Sequence, residues 1–301
     1  MSVEKLFSDA VGSENFYKEE PMYKHSTFKT GGKAEYFVTP PTKESIIKVL
    51  KIAKENSIPY VVVGNGSNIL VSDKGIKGLV ISFGKTLSDI SVNENEITVG
   101  AGTLLAVIAN VALDNGLKGF EFAAGIPASF GGAIFMNAGA YTGEIKQVLK
   151  SVKVLSPNME TKDIDADKLD LGYRHSNIKE NGYIILEGTI RLDYGERKEI
   201  KSLMADFNGR RRDKQPLNFP SAGSTFKRPE GYFAGKLVED CGLKGYSVGG
   251  AKVSEKHAGF VVNTGNATTK DILDVIEYCK ETVYKKFGIR LECEVKLLGE
   301  F

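Results

Sequence analysis

The chain has 301 residues, 42% of them hydrophobic, which is enough for more than one packed unit because single cores stop growing at roughly 250 to 300 residues. Forty basic side chains are interspersed with thirty-eight acidic ones, and the resulting formal charge of +2 creates no field of the kind that nucleic-acid recognition needs. Cys241, Cys279 and Cys293 outline neither a disulfide framework nor a CxxC metal site, and His25, His175 and His257 offer no pair at ligand spacing. No stretch approaches the roughly 20 apolar residues that span a bilayer, and the N-terminus lacks an apolar signal core. The expectation is a cytoplasmic protein with no metal, no membrane anchor, no nucleic-acid partner and no protein partner implied.

Ile46, Val49, Leu50 and Ala53 recur at helical spacing after Thr42, a plausible N-cap. Pro59 to Val63 reads as a strand running into Gly64-Asn65-Gly66-Ser67-Asn68, and Ile69 to Val71 and Leu79 to Ile81 read as further strands. Ile90 to Val92 and Ile97 to Val99 form a hairpin around Asn93 to Glu96. A second helix follows with Leu104, Val107, Ile108 and Val111 on one face, ended by Gly116. The stretch Gly119 to Gly143 holds one lysine- and arginine-free run of Gly and Ala that keeps neither period for long, so backbone must matter there more than side chains.

Strand patterning resumes at Val152 to Leu155 and Tyr183 to Leu192. A helix through Ile200, Leu203, Met204 and Phe207 is expected to end in Gly209-Arg210-Arg211-Arg212, whose arginines offset the helix dipole rather than bind nucleic acid. A short helix around Gly235 to Asp240, a strand at Gly259 to Asn263 and a long helix with Ile272, Val275, Ile276, Cys279, Val283 and Phe287 in the core come next. In the last strand Ile289, Leu291, Cys293, Val295 and Leu297 face one way, and Arg290, Glu292, Glu294 and Lys296 the other.

A glycine loop after a strand suggests phosphate binding, because successive N–H groups can turn towards an anion with no Cβ in the way. GxGxxG and P-loop sites need a helix immediately afterwards, whereas GNGSN is followed by Ile69-Leu70-Val71, which excludes both. A diphosphate here would be held by the amides of Gly64 to Asn68, the Ser67 hydroxyl and the Asn65 and Asn68 side chains. A second glycine loop, Gly125 to Gly132, suggests one long ligand of dinucleotide size pinched between two subdomains.

These residues resemble the UDP-N-acetylenolpyruvoylglucosamine reductases, FAD enzymes related in fold to the vanillyl-alcohol oxidase and p-cresol methylhydroxylase flavoproteins. The resemblance covers TFKTGGKAEYFV (27–38), GNGSNILV (64–71), GFEFAAGIPASFGGAIFMNAGAY (119–141), YRHS (173–176), AGSTFKRP (222–229), AGKLVEDCGLKG (234–245), HAGFVVN (257–263) and LECEV (291–295). It implies an α+β architecture: FAD-binding subdomains at 1–85 and 86–195, and a C-terminal α/β substrate domain at 196–301 whose final strand returns to the active site. It implies non-covalent FAD, reduced by NADPH, then hydride transfer from flavin N5 to the enolpyruvyl double bond of UDP-N-acetylglucosamine enolpyruvate, giving UDP-N-acetylmuramate for peptidoglycan.

By the same resemblance, Gly64, Asn65, Gly66, Ser67, Asn68, Ala124, Gly125, Ile126, Pro127, Ser129, Gly131 and Gly132 hold the cofactor. Arg174 stabilises the enolate-like charge next to the carboxylate, and Ser224 gives the proton, a poor acid meeting a strongly basic acceptor. Glu294, which spacing alone does not separate from Glu292, assists the enolate and must be protonated to donate a hydrogen bond. Lys227, Arg228 and lysines of the last domain, Lys236 among them, suit the UDP diphosphate, and Tyr173 is counted with them. Lys227-Arg228-Pro229 stands where many members have KNP, and no tyrosine-bearing insertion lies between Arg174 and Gly195, so the chain resembles the shorter, loop-lacking type. His257 reads as structural. The alternatives are a flavin oxidase of the same fold, whose covalent versions need a His or Cys that neither glycine loop contains, and a non-catalytic module that binds a UDP-sugar or flavin.

Overall fold

The structure, a computed structural model, describes residues 1–84 and 86–301; the expected boundary at residue 85 therefore falls outside the described residues. The chain forms two compact units: unit 1 comprises Met1–Tyr17, Phe37–Asn65 and Val80–Arg211, and unit 2 comprises Lys18–Tyr36, Gly66–Leu79 and Arg212–Phe301. The boundary expected near residue 195 lies inside unit 1.

Unit 1 carries α1 (Val3–Val11), α2 (Lys43–Glu55), α3 (Leu105–Asp114), α4 (Phe130–Phe135) and α5 (Arg197–Lys214) as far as Arg211. Thr42 and Ser45 form a reciprocal capping box at the start of α2: the Ser45 amide donates to Thr42 Oγ1 at 3.1 Å and the Thr42 amide to Ser45 Oγ at 2.9 Å. Ile46, Val49, Leu50 and Ala53 are all buried, as their spacing predicts. The main sheet is antiparallel, in the order Thr161–Asp165, Leu149–Leu155, Ile184–Arg191, Glu96–Gly100, Ile90–Asn93. Helix α4 seats Phe130 and Ile134 over Gly188 of this sheet, where a Cβ would stand 2.9 Å from the Phe130 ring. The missing side chain is what lets two large apolar residues reach the strand, each worth about 1.5–3 kcal/mol of burial.

Unit 2 carries α6 (Ala234–Asp240) and α7 (Thr269–Phe287). Ile272, Val275, Ile276, Cys279 and Val283 of α7 pack with Leu237, Val238, Val253, Val261, Leu291 and Val295 in one core. A Thr268–Asp271 capping box starts α7, and Gly288, at φ 71°, ends it by donating its amide to the Tyr284 carbonyl. Ser247–Val248, Ala251–Val253 and Val261–Asn263 form an antiparallel sheet, and Lys296–Leu298 pairs in parallel with Ile69–Val71. The strands Phe16–Pro21, Lys33–Val38 and Ile76–Ser82 are each divided between the two units, and Tyr60–Val63 belongs to unit 1.

Several local expectations need correction. Helix α3 is rotated from its predicted face: it buries Leu105, Ile108, Ala109 and Ala112, while Leu104 and Val107 are exposed. Leu104 is the extended N-cap bridged to Ser129, and the two alanines let the helix lie close, a contribution that large-aliphatic spacing underweights. Helix α5 runs two residues past the expected Gly209–Arg212 end, to Lys214; Pro216 follows, and the residue before a proline disfavours helix. Phe287 lies at the exposed end of α7 rather than in the core. The last strand shrinks to Lys296–Leu298, and its alternation fails, with Glu294 and Val295 both buried and Leu297 exposed. Among the elements missing from the expectation are α1, although Val3, Leu6, Phe7 and Val11 recur at helical spacing after the Ser2 cap, and Thr161–Asp165, a charged edge strand with only one side paired.

Candidate active site

In unit 1 the strand Tyr60–Val63 delivers Gly64 and Asn65 onto the second glycine loop. The Asn65 side-chain amide donates to the Pro127 carbonyl at 2.8 Å, and a Cβ on Gly64 would overlap Ser129 Oγ. The two glycine loops thus meet, as a single elongated ligand site requires. Around Gly125–Gly132 the amides of Ala124, Ile126 and Ala128 donate within the loop, and those of Phe130 and Gly131 donate to Thr103 and Ala101 at 2.8 Å each. Ala124, Ile126 and Gly131 can therefore line a cofactor but do not offer it these N–H groups. Gly125 is packed against α5: its carbonyl accepts from the Arg211 guanidinium, and a Cβ would stand 2.7 Å from Asn208 Oδ1. Burial holds the Arg211 guanidinium below its usual pKa, offset in part by Tyr141.

Gly66, Ser67 and Asn68 belong to unit 2. Gly66, at φ 65°, accepts the Thr27 amide at 3.1 Å on its carbonyl, and a Cβ there would overlap the His25 carbonyl. The Asn68 side chain donates to the Glu294 carbonyl at 3.2 Å. Asn65 and Asn68 thus each spend a donor on bracing the backbone.

The Tyr173-Arg174 pair forms the tip of a two-residue turn in unit 1. Gly172 and His175 exchange backbone hydrogen bonds of 3.1 and 3.2 Å, and Arg174 takes φ 55°, uncommon for a non-glycine residue and of the kind found where a side chain must be aimed. The Arg174 guanidinium lies 5.1 Å from the centroid of the exposed Tyr173 ring.

In unit 2, Thr225 is fully buried and pinned from three sides: its amide donates to the Gly259 carbonyl (2.8 Å), its carbonyl accepts the Glu294 amide (2.8 Å), and its hydroxyl accepts the Val261 amide (2.9 Å). With Phe226 bridged to Cys293, the register sets Thr225 opposite Glu294 and Ser224 one position further along. Ser224 is half-buried and follows Gly223 at φ 76°. Glu294 is 7% exposed, whereas Glu292 is exposed and paired with Lys227 at 2.9 Å, a contact that holds its carboxyl below the usual range. Burial separates two glutamates that spacing could not.

Of the residues expected to bind substrate, Lys227 is occupied by Glu292, and Lys236 by Asp240 at 2.6 Å, which raises the Lys236 pKa. The Arg228 guanidinium lies 4.3 Å from the Phe233 ring centroid. A cavity of about 580 Å³ in unit 2, lined by Arg212, Leu217, Phe219, Lys252, Lys256 and Val262 among others, includes none of the expected site residues.

Two buried polar side chains near these segments were not singled out in the sequence. Asn137, fully buried, hydrogen-bonds the carbonyl of Gly172 at 2.9 Å, at the base of the arginine turn. Thr103 Oγ1, beside the second glycine loop, is one of two buried side-chain polar atoms without a hydrogen-bond partner among the described residues. An unmade bond of that sort costs about 1–3 kcal/mol. In unit 1 the Ser129 hydroxyl and the joined Gly64–Asn65 and Gly125–Gly132 segments suit a dinucleotide cofactor. Among the described residues no cluster of His, Cys, Asp and Glu could hold a metal ion, and no helix is long and apolar enough to cross a membrane.

Comparison with known proteins places this geometry. A family model described as FAD binding domain matches residues 34–165, and one described as UDP-N-acetylenolpyruvoylglucosamine reductase, C-terminal domain, matches residues 215–298. The chain is 54% identical over 309 residues to the UDP-N-acetylenolpyruvoylglucosamine reductase of Agathobacter rectalis, covering 99% of this chain and 98% of the relative. The enzyme of the same name from Clostridium perfringens is 50% identical over 299 residues, with 99% and 98% covered. The crystal structure of UDP-N-acetylenolpyruvylglucosamine reductase from Thermus caldophilus superposes with a TM-score of 0.80 at 33% identity, covering 94% of this chain and 98% of that one. A 4-ethylphenol oxidase from Gulosibacter chungangensis, at TM-score 0.51 and 16% identity over 97% of this chain and 64% of that one, shares the fold alone. The expected α+β class, an FAD-binding fold of the vanillyl-alcohol oxidase type with a C-terminal α/β domain, agrees with these matches. The chain belongs to the UDP-N-acetylenolpyruvoylglucosamine reductase family.

Proposed function

We propose that this chain catalyses FAD-dependent reduction of the enolpyruvyl ether of a UDP-sugar, UDP-N-acetylglucosamine enolpyruvate, with NADPH as reductant, in cytoplasmic peptidoglycan precursor synthesis. The observation that carries the reading is the pinned Thr225: it holds the Ser224 hydroxyl and the water-excluded Glu294 carboxyl on one paired segment. Family membership supports the same chemistry. The division at about residues 85 and 195 into two cofactor subdomains and a substrate domain is part of the proposal.

Bound FAD would supply the two-electron carrier between NADPH and the double bond. The protein's own residues handle charge and proton. As hydride arrives at the terminal carbon of the enolpyruvyl group, negative charge spreads over the adjacent carbon and its carboxylate, where the Arg174 guanidinium offsets it. Ser224 Oγ gives its proton to that adjacent carbon, so one hydride and one proton complete the new C–H bonds, and the serine regains its proton from solvent afterwards. Glu294, shielded from water, completes the donor set around the enolate. Gly64 to Asn68, Ala124 to Pro127, Ser129, Gly131 and Gly132 line the cofactor, while Tyr173, Lys227, Arg228 and Lys236 attend the UDP-sugar.

The test is an anaerobic titration of the holoenzyme. The visible flavin band should bleach with NADPH and recover when UDP-N-acetylglucosamine enolpyruvate is added. Ser224→Ala should bleach at the normal rate and recover roughly 10² to 10⁴ times more slowly, the contribution of a positioned acid. Recovery only on admitting air would make the protein an oxidase. A colourless protein that FAD cannot reconstitute would refute the assignment.

A further inference from the structure

Asn137 is fully buried and adopts φ 44°, left-handed backbone that asparagine accepts more readily than most residues. Its amide group is fully engaged: Nδ2 donates to the Gly172 carbonyl at 2.9 Å and to Glu144 Oε2 at 3.0 Å, and Oδ1 accepts the Lys146 amide at 2.9 Å. Gly172 closes the turn whose tip is Tyr173-Arg174, so Asn137 grips that turn at its base. Two residues earlier, the Phe135 carbonyl at the end of α4 accepts the Ser176 hydroxyl at 2.5 Å on the turn's other flank. Helix α4 itself begins directly after its N-cap Ser129, in the second glycine loop. One short, bonded path therefore runs from the cofactor loop through α4 to both sides of the arginine turn, all within unit 1.

We infer that Asn137 is a positioning residue for Arg174: its side-chain amide fixes the Gly172–His175 turn so that the guanidinium is held in register with the cofactor loop. The inference rests on the role given to Arg174 above. A buried, fully satisfied polar network holds one geometry, and a shift of about 1 Å in a charge-stabilising group costs roughly a hundredfold in rate. The role given to Arg174 concerns the charge on the enolate, so the effect is expected in the half-reaction with the UDP-sugar.

The test uses the holoenzyme and two variants. Asn137→Gly deletes the side chain and keeps the left-handed backbone unstrained; Asn137→Asp keeps the shape but turns an oxygen towards the Gly172 carbonyl and the Glu144 carboxylate. In both, FAD affinity and flavin reduction by NADPH should stay within about threefold of the parent, while flavin reoxidation by the UDP-sugar slows roughly 10- to 100-fold. Adding Arg174→Lys to Asn137→Gly should slow reoxidation no further than Arg174→Lys alone, because both changes disable one unit. Parent-like reoxidation in Asn137→Gly, or slowing that multiplies in the double variant, overturns the inference while leaving the function intact. Parent-like reoxidation in Arg174→Lys alone overturns the premise about Arg174. If Asn137→Gly does not fold, Ser176→Ala carries the same test from the turn's other flank.

Discussion

At His257 the ring nitrogen Nδ1 accepts the Gly259 amide at 3.0 Å, which requires that nitrogen to be unprotonated. The ring fills a slot between two glycines: a Cβ on Gly235 or Gly259 would stand 3.0 or 2.9 Å from Cε1. Burial pushes the imidazole below its ordinary pKa of 6.5, with Lys244 acting in the same direction and Glu239 against it. The unfolded chain then binds the proton first as pH falls, so stability is full above the ordinary imidazole value and is lost as pH drops towards the folded one. Melting temperature should decrease between about pH 7.5 and about pH 5.5, and His257→Asn should flatten that slope. An unchanged slope in the variant would place the titrating group elsewhere. In the sequence HAGF marked a structural histidine, but the two glycines that make its slot lie on different segments, and only folding brings Gly235 to it.

At the scale of elements, α5 shows how one helix face conditions a distant loop. Tyr141 stacks on Phe207 with ring centroids 4.4 Å apart and donates its hydroxyl to the Phe207 carbonyl at 2.7 Å, while Asn208 and Arg211 close on Gly125. Both ends of the glycine-rich stretch, at Gly125 and Tyr141, are thereby held by residues one and four apart on the helix. A charged donor to a carbonyl contributes about 1.5–3 kcal/mol, so Arg211→Met should weaken FAD binding roughly 10- to 100-fold, with Arg211→Lys in between. Regain of free FAD fluorescence on dilution measures it, and equal dissociation constants for the parent and Arg211→Met would show that the loop holds its shape unaided. The three arginines in a row looked like helix-end charges from sequence, because the pattern shows their helix and not the loop beneath it. Helix α3 teaches the same lesson: its hydrophobic period was legible, but the face that turned inward was set by two alanines and a bridge from Leu104 to Ser129.

For the whole molecule, the two units are assembled from alternating stretches of chain, with residues 18–36 and 66–79 joining the C-terminal ninety residues. A ligand that binds only the folded protein adds RT ln(1 + [L]/Kd), so FAD at about a hundred times its Kd should add about 2.7 kcal/mol and raise the melting temperature by roughly 5–10 °C. Stripping the flavin should reverse the shift, and a melting curve indifferent to FAD would contradict the cofactor assignment. The sequence by itself determined the helices of strong period, the hairpin at 90–99, the glycine loops and the ordered motifs that mark the family, since these depend on residues near one another in the chain. Only the tertiary structure decided that Glu294 is buried while Glu292 meets Lys227, that Gly131 spends its amide on Ala101, and that Asn137 underpins the arginine turn. Burial and hydrogen-bond satisfaction are properties of the segment that covers a residue, and that segment is usually far away in the chain.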